Sequence, residues 1–375
     1  MTAKIPTCDI LIVGGGVIGL SLAYELAAQG ARVQLVDRGP LGREASWAGA
    51  GILPPAASQP LRDPFGALCR LSGDLYPIWS ARLREETGVD NGFRQCGGIY
   101  LATDEPQEAE LQQFSAEWRA QDIRAEPLDG NRLLEREPAL ATSPYRFRAA
   151  WWLPDEAQVR NPRHLKALSL ACARRGVELS PGVAVEGFRL AAGRVAEVVT
   201  SAGRLAAGQV CIASGPWSKS LLAGLGVDVP LRPVRGQMVL LNSPRPVLRS
   251  IINAGKQYLV PRPDGRILVG STEEDAGFDK RTTAQAVGEL LDLAIRLAPP
   301  LGELSMETCW AGLRPASHDE LPYLGRVPGC QNLFLASGHF RHGLRLSPAT
   351  AVVMSRLMLG GDPGFDLAAF RVDRA

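Results

Sequence analysis

The sequence predicts the α/β class with α+β character: a Rossmann-like dinucleotide-binding domain assembled from discontinuous segments, joined to a second, β-rich domain. Three observations carry that reading. A glycine turn, Gly14-x-Gly16-x-x-Gly19, separates an apolar run from a helix-compatible stretch inside a βαβ unit of about thirty residues. The chain has 375 residues, more than the roughly 250 to 300 that one hydrophobic core sustains. The pattern also leaves the first unit for segments of different character and comes back to an apolar strand closed by small residues.

Taken in order, residues 8–13 form a strand that ends in Gly14-Gly15-Gly16, and 17–29 form a helix closed by Gly30 as C-cap. Residues 31–36 are the next strand, ended by Asp37. The stretch 42–55 (GREASWAGAGILPP) is rich in small residues, which suits backbone lying against something flat or charged. A helix is expected over 67–87. Residues 91–155 read as an excursion into the second domain, with an acidic helix over 105–121 and prolines at 127, 138, 144 and 154. A capped helix over 161–176, basic in its last turn, then two short strands and the strand 209–213, ending in Ser214-Gly215, return to the first domain. Residues 230–306 are β-rich, with strands at 237–241, 257–260 and 266–269, the last two joined by Pro263-Asp264-Gly265. A last parallel strand follows at 332–336, then a helix over 348–359 with Pro348 in its first turn. The expected dinucleotide domain is 1–90, 156–228 and 326–375; the expected second domain is 91–155 and 229–325.

A net charge of +2 with scattered Lys and Arg offers no basic track, so nucleic acid is not an expected partner. Seven cysteines, odd in number and without CxxC spacing, read as reduced thiols with no structural metal site, and the expected compartment is the cytoplasm. The apolar run 10–22 is broken by three glycines and is too short to span a bilayer, so neither a signal peptide nor a membrane helix is expected.

The three glycines of the fingerprint act differently. The first permits the tight turn, the second lets a pyrophosphate approach bare backbone at a helix N-terminus, and the third lets helix and strand pack closely. Asp37 is placed to accept ribose hydroxyls. The motif does not separate NAD from FAD. The far end does: Ser337-Gly338-His339-Phe340-Arg341-His342-Gly343 precedes the last helix, whose positive end, flanked by Arg341 and Arg345, would stabilise the negative charge of a reduced flavin. The plainer alternative is a glycine turn with solvated arginines.

The segments ILIVGGGVIGLSLAYELA, EASWAGAGILPP, YLVPRPDGRILVGST, CWAGLRPASHDELPYLGR and GHFRHGLRLSPATA resemble, in collinear order from about residue 8 to 360, the glycine oxidases of the thiamine-biosynthetic type. These belong with the D-amino-acid and sarcosine oxidases in one FAD-dependent family. The resemblance implies an FAD domain, an antiparallel-sheet substrate domain over the flavin, a small amino acid and oxygen as reaction partners, and a homo-oligomer. It implies a cofactor site formed by Gly14, Gly16, Val17, Ile18 and Gly19, by Asp37 and Arg38, and by Ser46, Ala48, Gly49 and Gly51. Val183, Ser214, Gly215 and Trp217 complete its middle, and Gly338, His339, Phe340, Arg341, His342, Gly343 and Leu344 its far end.

The resemblance also assigns Arg314 to the substrate carboxylate, which suits a planar bidentate donor; the alternative is an ion pair with Asp319 or Glu320. Tyr258 matches a tyrosine that meets the same carboxylate, or it is half-buried packing. Arg341 matches a second active-site arginine. Glu273 stands where a Bacillus-type glycine oxidase has methionine, so it is either a carboxylate near the substrate or a turn residue facing water. His342 and Arg345 are closer to sarcosine oxidase, which makes Arg345 a rival to Arg314 for the carboxylate. Cys309 matches the covalent flavin attachment point of sarcosine oxidase, or it is a small buried apolar residue. Leu268 replaces that enzyme's oxygen-activating lysine. His164 and His318 are expected to be structural. The implied reaction is oxidative deamination of glycine or a small amino acid to the oxo acid, ammonia and hydrogen peroxide. The alternatives are N-methyl amino acid oxidation and a D-amino-acid dehydrogenase that reduces a quinone.

Overall fold

The computed structural model describes residues 8–57, 63–364 and 366–374; the remaining positions of the expected dinucleotide domain lie outside the described residues. Strand Cys8–Val13 is wholly apolar except for Asp9 and sits at the centre of a six-stranded sheet. Its neighbours are Val33–Asp37 on one side and Ala207–Ile212 on the other, both parallel to it. Glu178–Pro181 extends the first side; Leu333–Ser337 extends the second, and Tyr323–Arg326 closes that edge antiparallel. The chain therefore leaves the central strand in opposite directions, and the crevice outside the carboxyl ends of these strands is where such sheets bind ligands.

Helix Val17–Ala28 starts directly after the glycine turn and ends at Gln29, with Gly30 left-handed at φ 84° as the next residue. It packs with Pro64–Thr87, Asn161–Arg174 and Gly343–Met358 on one face of the sheet, through a core that includes Leu20, Tyr24, Trp79, Leu168 and Met354. The opposite face carries the small sheet Val185–Ala191, Arg194–Thr200 and Gly203–Leu205.

Two of these helices differ from expectation. Helix Asn161–Arg174 has Arg160 at its N-cap with no side-chain cap, because Asn161 Nδ2 donates instead to the Ser46 carbonyl, 2.8 Å. The last helix begins at Gly343, so Pro348 is internal rather than in the first turn. Proline has no N–H for the carbonyl of residue 344; Tyr76 Oη donates to that carbonyl at 2.5 Å and Ser347 Oγ at 3.0 Å.

The second sheet has eight strands in the order Ser305–Ala316, Arg232–Asn242, Arg266–Gly270, Gln257–Pro261, Ile251–Ala254, Gly98–Ala102, Ala149–Leu153 and Glu126–Pro127. It is antiparallel except where Ile251–Ala254 meets Gly98–Ala102 in parallel; these strands come from two separate excursions of the chain. Period-two alternation gives the sheet two faces. One carries Val239, Leu259, Ile267 and Val269 against Leu290, Ala294 and Leu297 of helix Ala284–Leu297. The other presents Met238 and Tyr258 to the first sheet's ligand crevice, with Trp310 packed in the same apolar cluster.

Candidate active site

One cavity of about 440 Å³ runs from the glycine turn to the second sheet, lined by Gly14 and Asp37 at one end and by Tyr258, Arg314 and Arg341 at the other. Its first end is backbone. Gly14 has φ 115°, and a Cβ there would lie 2.5 Å from the Ala213 carbonyl oxygen, so only glycine fits the turn. Gly16 is the N-cap of the first helix without a side-chain cap, and Ser46 Oγ accepts the Val17 N–H at 2.9 Å. The other N–H groups of the first turn leave a partial positive charge at the cavity wall, the environment an anionic pyrophosphate requires.

The structure brings most of the expected cofactor residues to this cavity. Val17, Ile18, Arg38, Ser46, Ala48, Gly49, Gly51, Val183, Ser214, Gly215, Trp217, His339, Phe340, Gly343 and Leu344 all line it. Arg38 lies over the Trp217 ring at 3.8 Å, which fixes a flat wall beside Asp37. The Asp37 carboxylate accepts the Gly15 N–H at 2.7 Å and the Gly39 N–H at 2.8 Å, so it braces the turn while facing the cavity.

Three expected cofactor residues do not reach the cavity. Gly19 packs against the glycine turn, where its Cβ would meet the Gly14 oxygen at 1.9 Å. Gly338, left-handed at φ 83°, turns the chain beneath Leu231 and Tyr323. His342 stacks edge-on against Phe65, and burial pulls its pKa down to about 4. His339 does line the cavity; its Nε2 meets Thr350 Oγ1 at 3.1 Å, and burial holds its pKa down to about 3. Both imidazoles are therefore neutral at physiological pH.

At the second end, Arg314 projects from strand Ser305–Ala316 and makes no ion pair among the described residues. Its Nη2 donates to Ser271 Oγ at 2.6 Å and its Nη1 to the Thr272 carbonyl at 3.2 Å. Asp319, the alternative partner, is instead paired with Arg374 at 2.8 Å. Tyr258 Oη meets the Met238 sulfur at 3.4 Å, and both cross over Gly270, where a Cβ would strike that sulfur at 2.3 Å. Burial lowers the pKa of Arg341, partly offset by Tyr258 nearby, and its guanidinium pairs with Glu273. Glu273 is thus a partner of Arg341 at the rim, neither a lining residue nor unpaired in water.

Arg345 is not part of this group: its Nη2 donates to the Pro55 carbonyl at 3.1 Å, away from the cavity lining. Cys309 also points elsewhere. It alternates with Trp310, whose Nε1 donates to the Ala48 carbonyl at 3.0 Å on the cavity face, while Cys309 packs with the core on the opposite face. Leu268 is buried in the apolar cluster beside Tyr258. His164 is buried against Asn91 at 3.1 Å, and His318 meets Tyr323 Oη at 3.0 Å, both structural contacts.

Several lining residues escaped the sequence reading, among them Gly236, Met238, Ser271 and Gly312. The available signal was glycine inside strands of β-formers, which marks close approach of another group. Gly236 and Gly312 face each other in register; a Cβ on Gly312 would lie 2.5 Å from that of Ala48.

Among the described residues no His, Cys, Asp or Glu cluster could hold a metal, and no helix is long and apolar enough to cross a membrane. The uncapped helix end, the left-handed turn and the flat Arg38–Trp217 wall fit a flavin dinucleotide. A glycine oxidase of Pseudomonas putida is 40% identical over 364 residues, covering 96% of this chain and 97% of that protein. The crystal structure of glycine oxidase from Geobacillus kaustophilus matches with a TM-score of 0.93 at 35% identity, covering 98% of this chain and 99% of that one. The iminodiacetate oxidase structure from Chelativorans sp. BNC1 matches at 0.86 with 26% identity, covering 97% of this chain and 99% of that one. The family model for FAD dependent oxidoreductases matches residues 9–357, and the chain belongs to that family.

Proposed function

We propose that this chain oxidises glycine or a similarly small amino acid to the oxo acid and ammonia, with oxygen as acceptor and hydrogen peroxide as product. The observation that carries the reading is Arg314: a guanidinium aimed into the cofactor cavity, with only a hydroxyl and a carbonyl as partners. The glycine oxidases among its relatives support the substrate class.

In this reading FAD, when bound, accepts the hydrogen and two electrons that leave the substrate's α-carbon. Arg314 grips the carboxylate through two parallel N–H donors, and Tyr258 Oη adds a third. Met238, Ile52 and Pro315 provide apolar lining that limits water while the imine forms. Neutral His339 adds no charge to compete for the substrate carboxylate. Water then hydrolyses the imine to the oxo acid and ammonia.

The domain division is proposed on the same footing. The two large sheets support it, with strand Tyr323–Arg326 assigned to the first domain because it pairs with Leu333–Ser337, so the last boundary is drawn before it. A cytoplasmic location is supported by seven free cysteines, and a homo-oligomer is the proposed solution state, testable by size-exclusion light scattering.

The test is anaerobic bleaching of the flavin by glycine, sarcosine, D-alanine and D-proline, followed by mixing with oxygen, in the unsubstituted enzyme and in Arg314→Ala. Loss of at least about a hundredfold in kcat/KM for glycine in the variant is expected from removing a bidentate charged contact. Unchanged kcat/KM would place the carboxylate clamp elsewhere, and slow reoxidation by oxygen would point to a quinone acceptor.

A further inference from the structure

We propose that Glu273 is a specificity determinant that masks Arg341 and so restricts the cavity to substrates with a single carboxylate; the inference rests on the Arg314 reading above. Two guanidinium groups, Arg314 and Arg341, line the end of the cavity away from Arg38 and Asp37, but they are not equivalent. Arg314 has only neutral acceptors, Ser271 Oγ and the Thr272 carbonyl, and keeps its full charge for a ligand. Arg341 is already paired with Glu273, which stands on the rim with about a third of its side chain exposed (31%).

The two sites together present one uncompensated positive charge. That matches a monocarboxylate. A ligand with a second carboxylate would have to displace Glu273 from Arg341 and then sit beside the displaced anion, a like-charge contact that rejects it. The neighbouring carboxylate cannot take over the masking role, because Glu274 is committed to Arg235 at 2.5 Å and to Gln237 Nε2 at 2.8 Å. Arg235 is itself buried and holds Asp279 as well, at 3.2 Å, so that cluster is a closed network. Glu273 is the member of the acidic pair turned toward the cavity rim, and its removal would leave a second guanidinium on the lining with no anionic partner.

The experiment reads binding without turnover. Glycolate, malonate, succinate and glutarate are titrated into the oxidised holoenzyme and followed by perturbation of the flavin's visible spectrum. In Glu273→Gln the affinity for the best dicarboxylate, divided by that for glycolate, is expected to rise by about tenfold or more, the scale of one added charge-assisted contact. Glu273→Asp should keep the original preference, and Glu273→Gln combined with Arg341→Gln should abolish the gain. A rise below tenfold in the single variant, or a gain that survives loss of Arg341, overturns the proposal. Failure of glycolate to perturb the flavin in the unsubstituted enzyme, or glycolate binding that survives Arg314→Ala, overturns the underlying site reading and the proposal with it. Those outcomes are distinct from a failure confined to the dicarboxylates.

Discussion

The guanidinium of Arg314 lies flat over Gly236: a Cβ at position 236 would sit 2.4 Å from both terminal nitrogens. The glycine is therefore part of how the arginine is aimed, since a side chain on the adjacent strand would push it off the line set by Ser271 and Thr272. Gly236→Ala should raise KM for glycine by about tenfold or more while kcat changes less, because a displaced clamp weakens ground state and transition state alike. Steady-state kinetics of the flavin-loaded variant decides it, and an unchanged KM would show that Arg314 has room to relocate.

Two glycines of the fingerprint have separable roles. A Cβ on Gly19 would lie 1.9 Å from the Gly14 backbone oxygen, whereas on Gly16 it would lie 3.1 Å from the movable Ser46 Oγ. Gly19→Ala should destabilise the protein even without cofactor, by about 3 kcal/mol or more, since neither backbone can yield. Gly16→Ala should cost the apoprotein about 1 kcal/mol or less yet weaken FAD binding by about tenfold, because the methyl group stands where the anion approaches the helix end. Urea unfolding of both apoproteins and fluorescence titration with FAD separate the effects; equal apoprotein losses would contradict the assignment.

Tyr76 completes the last helix from outside it. With Pro348 unable to donate, Tyr76→Phe leaves the Leu344 carbonyl with the Ser347 hydroxyl alone. The cost should be about 1 to 2 kcal/mol, the range for removing one partner of a buried hydrogen bond. Leu344 and Gly343 line the cavity, so FAD affinity should fall with stability. Matched unfolding and titration curves check both, and a neutral variant would mean that Ser347 suffices.

That tyrosine also shows where sequence reading reaches its limit. The glycine turn, the first helix with Gly30 and the strand ended by Asp37 are local: each is dictated by neighbours a few positions away, and all appear where expected. The start of the last helix is not local. Pro348 reads as a first-turn residue until the Tyr76 hydroxyl, 268 positions before Leu344, supplies the donor that the Leu344 carbonyl lacks. Cys309 and Trp310 pose the same difficulty in a strand, where one residue of alternation decides which takes the face of the sheet toward the cavity. The registry between Ser305–Ala316 and Arg232–Asn242 settles it, and no adjacent sequence encodes that pairing. Tyr258 and Arg314 were legible as substrate groups only through resemblance, because they lie on strands of distant chain segments, whereas Arg341 was already marked by its place at the start of the last helix. Of the two residues that aim Arg314, Gly236 offers only the faint signal of a glycine inside a strand, and Ser271 carries no chemistry of its own and offers none.

Glu156 provides a pH test of the substrate-side sheet. It is fully buried, with Asn253 Nδ2 donating to Oε1 at 3.2 Å. Burial raises its pKa to about 7, against partial opposition from Asn253, Tyr100 and the charge of Arg345. For a carboxyl whose folded pKa lies above its unfolded value, the folded state binds the extra proton. The associated stability is fully present below the unfolded pKa near 4.5 and is lost as pH rises to about 7. A shift of this size corresponds to about 2 to 3 kcal/mol between pH 5 and pH 8. Glu156→Gln is neutral throughout, so the stability of the unsubstituted protein minus that of the variant should fall by that amount over the interval. Glu137, likewise raised to about 7, is present in both proteins and cancels. Urea unfolding at the two pH values measures the difference; a gap that stays constant would mean that Glu156 is ionised in the folded protein across the whole range.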